Sequence, residues 1–156
     1  MSFREELSKE TVSELPLRDA IAVDQHTVLR AAIALMRQHE LGCAVIVDHL
    51  CRPTGIFTEQ SVIRMLIAEA SLDSQPVSDF ADPHFFVVKQ SDPISKVWDL
   101  IVGEAARFVC VIDDEGQLAG LTGQRGLAEY VCDCFASQIA VQRLGSTPWM
   151  LQREGA

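Results

Sequence analysis

The sequence lacks any cluster of lysine or arginine: 13 basic residues lie scattered among 22 acidic ones, for a formal net charge of −9. Nucleic-acid binders neutralise phosphates with a basic patch or stripe, so nucleic acid is not an expected partner. Also missing is any run approaching the roughly 20 apolar residues of a membrane-spanning helix. The opening Met1-Ser2-Phe3-Arg4-Glu5-Glu6 carries acids where a secretory signal has a basic region, and no apolar stretch follows. A cytoplasmic location without a membrane partner is the expectation.

Motifs of chemistry are absent too. There is no Cys-x-x-Cys, and the five cysteines (Cys43, Cys51, Cys110, Cys132, Cys134) are odd in number and without framework spacing, which predicts reduced thiols. His49 with Cys51, and Cys132 with Cys134, lack the spacing of a zinc site, so no metal is expected. No Gly-x-Ser-x-Gly, His-Glu-x-x-His or phosphate-loop motif occurs. His26, His39, His49 and His84 fall at expected turns and helix ends and read as solvated surface. The chain is therefore not expected to be an enzyme.

What the chain does have is 48% hydrophobic residues, only 22% charged ones, and itself twice over. That composition suits one globular domain or two small ones rather than a disordered chain. Residues 23–62 slide onto residues 88–127 without a gap: Gln25 meets Gln90, Leu35 meets Leu100, Asp48 meets Asp113 and Gly55 meets Gly120. Upstream, Pro16 and Asp19 meet Pro76 and Asp79, so the second copy carries five extra residues within Ala81-Asp-Pro-His-Phe-Phe86. A repeat of this length is one structural unit used twice.

The periodicities agree in both copies. After a short apolar stretch ending at Val23, Thr27 is a candidate N-cap, and Leu29, Ala32, Ile33 and Met36 recur at helical spacing. Cys43-Ala-Val-Ile-Val47 and Thr54-Gly-Ile-Phe57 read as an antiparallel hairpin. A helix then opens at Thr58-Glu59, with Val62, Ile63, Leu66 and Ile67 expected along one face. The second copy predicts strands at 86–88, 108–112 and 117–122 and helices at 94–105 and 124–137, with Pro93 just ahead of the first helix. Each unit is β-α-β-β-α and marginal alone, so the two should pack on one another in an α+β fold.

A duplicated β-α-β-β-α unit with Gly-apolar-apolar-Thr leading into its last helix resembles the tandem cystathionine-β-synthase-type (CBS) domain pair, or Bateman module. The resemblance rests on Val77-Ser-Asp79-Phe-Ala-Asp-Pro-His-Phe-Phe-Val-Val88 and on Ala44-Val-Ile-Val-Asp48 followed by Gly55-Ile-Phe-Thr58-Glu59. It implies two CBS repeats packed with pseudo-two-fold symmetry, and divides the chain into an N-terminal helical extension (1–15), repeat 1 (16–73), repeat 2 (74–137) and a C-terminal extension (138–156). It further implies a regulatory module that binds AMP, ADP, ATP or S-adenosylmethionine in the inter-repeat cleft. The family motif Gly-apolar-apolar-Thr/Ser-x-x-Asp holds phosphate through a hydroxyl and helix N–H groups, and ribose through the carboxylate.

Carried over position by position, Gly55 and Thr58 match in copy one, while Ser61 replaces the ribose aspartate. In copy two Gly120 matches, but Gly123 and Gly126 replace the hydroxyl and carboxylate residues; Arg125 in that first turn offers a phosphate a cation. The base-holding segment before the first strand implies Val23, Asp82, Phe85 and Phe86. Of the two sites, the resemblance favours the one at Thr58. Thr58 and Gly55 also have plain structural readings, as an N-cap and as a close strand approach.

Outside the repeat, Ser2-x-x-Glu5 reads as a capping box opening a helix over residues 2–15, and Trp149-Met-Leu151 is an apolar patch in the tail. The family's association as homodimers through helices is matched by apolar positions Ile63, Leu66, Ile67, Leu127, Val131 and Phe135. The expectation is a stand-alone CBS pair whose bound ligand alters a surface read by a regulated protein. The alternative is a constitutive dimeric scaffold in which the nucleotide sites have decayed.

Overall fold

The computed structural model describes residues 2–145, with the side chains of Phe135 and of residues 137–145 left aside. Two three-stranded sheets carry the architecture. The first has the order β1-β2-β3, where β1 (Ala22–Val23) runs parallel to β2 (Cys43–Val47) and β2 antiparallel to β3 (Pro53–Thr58). The second repeats that order and sense with β4 (Phe86–Lys89), β5 (Val109–Ile112) and β6 (Leu118–Thr122). Even the β-bulges correspond, at Ile46/Val47 and Val111/Ile112. The helices are α1 (Phe3–Leu7), α2 (Leu29–Gln38), α3 (Glu59–Ile67), α4 (Ile94–Gly103) and α5 (Gln124–Gly145).

Helices α2 and α4 fill equivalent places, and each ends with a non-glycine residue in the left-handed region, Glu40 (φ 51°) and Ala105 (φ 53°). The chain must reverse there to enter the next strand, which makes that conformation part of the fold. One core gathers Leu29, Ala32, Val45 and Phe57 and takes in Cys110 and Leu121 from the second sheet. A second gathers Val88, Ile94, Val97, Val109 and Val111. The sharing of residues between sheets answers the marginal size of each unit.

The two units also exchange segments. Arg18 bridges Leu121 of the second sheet, and Asp82 bridges Ile56 of the first. The expected N-cap Thr27 is not the cap: α2 begins after Val28, which makes no side-chain cap bond. Its first N–H groups, those of Leu29 and Arg30, instead donate to the Gln75 and Leu72 carbonyls, each at 3.0 Å. In α4 the cap residue is Pro93, and the Ile94 N–H donates to the Glu10 carbonyl at 2.9 Å. Distant backbone satisfies donors that the cap side chains cannot.

At the N-terminus the capping box forms, with Glu5 N–H donating to Ser2 Oγ at 3.3 Å and Ser2 N–H to Glu5 Oε2 at 2.6 Å. The helix does not run to residue 15 as its apolar spacing suggested; it ends at Leu7, and a 3-10 turn follows at Val12–Glu14. The break lets Leu7, Val12 and Leu15 all enter the second core. Phe3 packs edge-on against Trp98, with ring centroids 5.9 Å apart. Arg4 clasps Asp99 through Nε at 2.7 Å and Nη2 at 2.5 Å.

The apolar positions expected to face a partner sort by depth. On α3 the buried side chains are Ser61 and Met65, with Val62 half-buried, whereas Ile63, Leu66 and Ile67 are exposed. Leu127 and Val131 belong to the second core rather than to a free face. The patch at Trp149 lies outside the described residues.

Candidate functional site

A cleft of about 410 Å³ opens between the repeats at the start of α5. Three stretches meet there: Pro16 and Arg18 ahead of β1, Leu41-Gly42 and Glu59 from repeat 1, and Arg107-Phe108 with residues 121–126 from repeat 2. The crossing of residues 16–18 onto β6 brings the first stretch in, with Arg18 and Leu121 exchanging both N–H···O bonds at 2.9 Å.

The floor is glycine for a steric reason. A Cβ at Gly123 would lie 2.6 Å from the Arg107 carbonyl oxygen, and one at Gly126 would lie 2.7 Å from Thr122 Oγ1 and 3.2 Å from the Pro16 carbonyl. The hydroxyl and carboxylate residues of the family motif do not fit this backbone. What remains is main chain: the N–H groups of Gln124, Arg125 and Gly126 open a 22-residue helix and have no intrahelical acceptor. A helix start of this kind attracts anions. Beside it, Thr122 Oγ1 is buried without a hydrogen-bond partner among the described residues.

Three guanidinium groups line the cleft, from Arg18, Arg107 and Arg125, against two carboxylates, Glu40 and Glu59. Arg107 Nη2 pairs with Glu59 at 3.0 Å, tying the two repeats across the cleft, and its guanidinium stands 5.4 Å from the Phe108 ring centroid. Arg125 Nε pairs with Glu129 at 3.0 Å on the same helix. Both pairs are solvent-exposed and so are exchangeable for a ligand anion at little cost. Phe108, Leu41 and Leu121 supply the apolar surface.

Of the candidate site residues singled out from the sequence, Arg125 lines this cleft, together with Gly123 and Gly126 at the motif positions, while Gly55, Thr58, Ser61, Val23, Asp82, Phe85, Phe86 and Gly120 do not. Thr58 caps α3, with Ser61 N–H donating to Thr58 Oγ1 at 3.4 Å and Thr58 N–H donating to Ser61 Oγ at 3.0 Å. Ser61 is fully buried. Gly55 gives the Asp82 backbone room, a Cβ there lying 3.4 Å from the Asp82 carbonyl. Gly120 does the same for Arg18, at 3.0 Å. Val23 is a core side chain, Phe85 packs on the first core and Phe86 on the second. Asp82 Oδ1 accepts from the His84 N–H at 2.9 Å. Sequence reasoning missed Arg18, Arg107 and Glu59; the internal repeat marks Arg107 as the counterpart of Gly42, which is the one signal that pointed there.

All four histidines are exposed. Among the described residues no three His, Cys, Asp or Glu side chains gather as metal ligands, and no helix is long and apolar enough to cross a membrane. Burial pushes the Cys43 and Cys110 thiols up to about 12, with the neighbouring Cys110 adding to the effect at Cys43.

Two equivalent β-α-β-β-α units with a cleft between them define a tandem-repeat α+β architecture. The model of the CBS domain family matches the chain twice, over residues 12–68 and 77–133, and the chain belongs to that family. A CBS-domain protein from Pyrobaculum aerophilum, complexed with AMP, superposes with a TM-score of 0.68 at 22% identity, covering 76% of this chain and 90% of that one. The CBS domain pair of protein MJ0100, in complex with 5′-methylthioadenosine and S-adenosyl-L-methionine, gives 0.65 at 15% identity, covering 78% and 99%. Among curated sequences, an uncharacterized 17.7 kDa protein of Acidianus ambivalens is 24% identical over 127 residues, 81% of this chain and 76% of that one. An uncharacterized protein of Methanopyrus kandleri is 22% identical over 120 residues, 76% of this chain and 61% of its own length.

Proposed function

We propose that this CBS pair is a regulatory module that binds an adenine nucleotide in the cleft at the start of α5 and signals its occupancy to a partner protein. The observation that carries the reading is the cleft itself: an open helix N-terminus on a glycine floor, beside three arginines and an apolar wall. Phosphate suits the N–H groups and the guanidinium groups; a base suits Phe108, Leu41 and Leu121. The AMP-bound and S-adenosylmethionine-bound neighbours support an adenine compound, and the charge here favours the first type. The guanidinium groups of Arg18, Arg107 and Arg125 offer the phosphates of AMP, ADP or ATP charge-assisted donors, and S-adenosylmethionine has no phosphate to accept from them.

A ligand phosphate that takes Arg107 from Glu59 removes a link between the repeats, so binding and repeat arrangement are coupled through a named pair. A regulatory role is the reading we adopt for a cleft whose described lining is arginine, glutamate, glycine and apolar residues. We also propose that the module works as a homodimer, on the ground that Ile63, Leu66 and Ile67 form an exposed apolar stripe on α3.

Isothermal titration with AMP, ADP and ATP tests the site. The Arg18→Glu and Arg125→Glu variants change exposed side chains that the core does not need, and each is expected to weaken nucleotide binding at least tenfold. Unchanged affinity in both would remove the cleft from consideration. No binding by the wild type would favour a constitutive scaffold.

A further inference from the structure

The two repeats should offer two equivalent clefts, yet they end their motifs differently. Positions Phe57, Thr58 and Ser61 of repeat 1 correspond to Thr122, Gly123 and Gly126 of repeat 2, each pair 65 residues apart. The bridges Ile56 to Asp82 and Arg18 to Leu121 correspond as well, so the chain before β4 approaches the first motif as the chain before β1 approaches the second. In the second site the Pro16 carbonyl stands over Gly126, and the cleft is open.

In the first site that space has an occupant supplied by the chain. Arg64, one turn along α3, donates from Nη2 to Ser61 Oγ at 3.2 Å and to the Phe80 carbonyl at 3.0 Å. Ser61 Oγ meanwhile accepts from the Thr58 N–H at 3.0 Å and stands 3.5 Å from Thr58 Oγ1. The hydroxyls that the motif would offer to a ligand are thus engaged with one another and with a guanidinium. The counterpart of Arg64 in repeat 2 is Glu129, which pairs with Arg125 and is not among the residues lining that cleft.

We infer that the chain takes one nucleotide, in the second cleft, and that Arg64 is the built-in occupant of the first. This rests on the proposed function for the second cleft, and adds to it a stoichiometry and a residue that sets it. The Thr58 and Ser61 hydroxyls remain competent to bind phosphate once Arg64 is withdrawn.

The experiment is calorimetric titration of wild type, Arg64→Ala and Arg64→Ser with AMP, ADP and ATP, with a melting curve on each protein to certify its fold. The expected result is one nucleotide per chain for the wild type and two for whichever Arg64 variant is folded. One per chain in both wild type and folded variants would overturn the inference while sustaining the function of the second cleft. Two in the wild type falling to one in the variants would overturn it differently, by making Arg64 a ligand-binding group. None in the wild type but one in the variants would uphold Arg64 as the occupant and reject the second cleft; none in any protein would reject both. Should neither variant fold, a wild-type count of two would still overturn the inference, and a count of one abolished by Arg125→Glu would sustain its stoichiometry and its choice of the second cleft.

Discussion

Gly123 and Gly126 look like losses when the chain is held against its family motif, and the structure gives them a positive role. A side chain at 123 would collide with a main-chain carbonyl, which cannot rotate away as a side chain can. Gly123→Ala is therefore expected to cost about 1–3 kcal/mol in urea unfolding. The control is Gly103→Ala near the end of α4, where nothing lies within 4 Å of the new methyl; it should be neutral or stabilise by up to about 1 kcal/mol. The thiols make a second prediction. Cys43 and Cys110 are held protonated by burial up to about 12, against an ordinary value of 9.0. Between those values the unfolded chain has lost thiol protons that the native chain retains, so stability falls as pH rises above about 9. A disulfide-exchange reagent at pH 8 should label exposed Cys51 and Cys132 at once and reach Cys43 and Cys110 only at the rate of unfolding. Rapid labelling of all five would contradict the burial.

At the scale of elements, β2 is read from the sequence residue for residue, and so is the opening of α3 at Thr58. Both depend on local causes: a run of β-branched and apolar residues, and a hydroxyl placed one residue before a helix. The misread elements depend on distant chain. Val28 can open α2 without a capping side chain because Leu72 and Gln75 lend their carbonyls. On α3 apolar residues cover both faces, and only the packed sheet decides that Met65 goes inward and Ile67 outward. The site shows the same division. The repeat locates both motifs, but the open one is chosen by Arg64 reaching back along its own helix and by residues 16–18 crossing to the other sheet. The N-terminal arm follows from that exchange, since Leu7 and Leu15 are core residues of repeat 2. Leu15→Ala is expected to destabilise the whole protein by about 2–5 kcal/mol, as a buried leucine does, rather than to free a loose tail. An unchanged urea midpoint would show the arm to be dispensable.

For the molecule as a whole, the exposed stripe of Ile63, Leu66 and Ile67 is the surface that the proposed homodimer would cover. Sedimentation equilibrium is expected to give a dimer, and Ile67→Glu, which places a charge in that stripe, to shift it toward monomer without unfolding it. A wild-type monomer at tens of micromolar would contradict the dimer. Regulation requires more, namely a ligand that prefers one arrangement of the repeats, and the bond between Glu59 and Arg107 is where the two repeats and the ligand meet. The most direct test of the central claim is thermal melting at fixed protein concentration with AMP, ADP, ATP and S-adenosylmethionine added separately. A ligand at 100 times its Kd contributes about 2.7 kcal/mol, which raises the midpoint by several degrees in a chain of this size. The expected result is such a rise with at least one of AMP, ADP and ATP, absent in Arg125→Glu; no rise with any nucleotide at millimolar concentration would contradict the account.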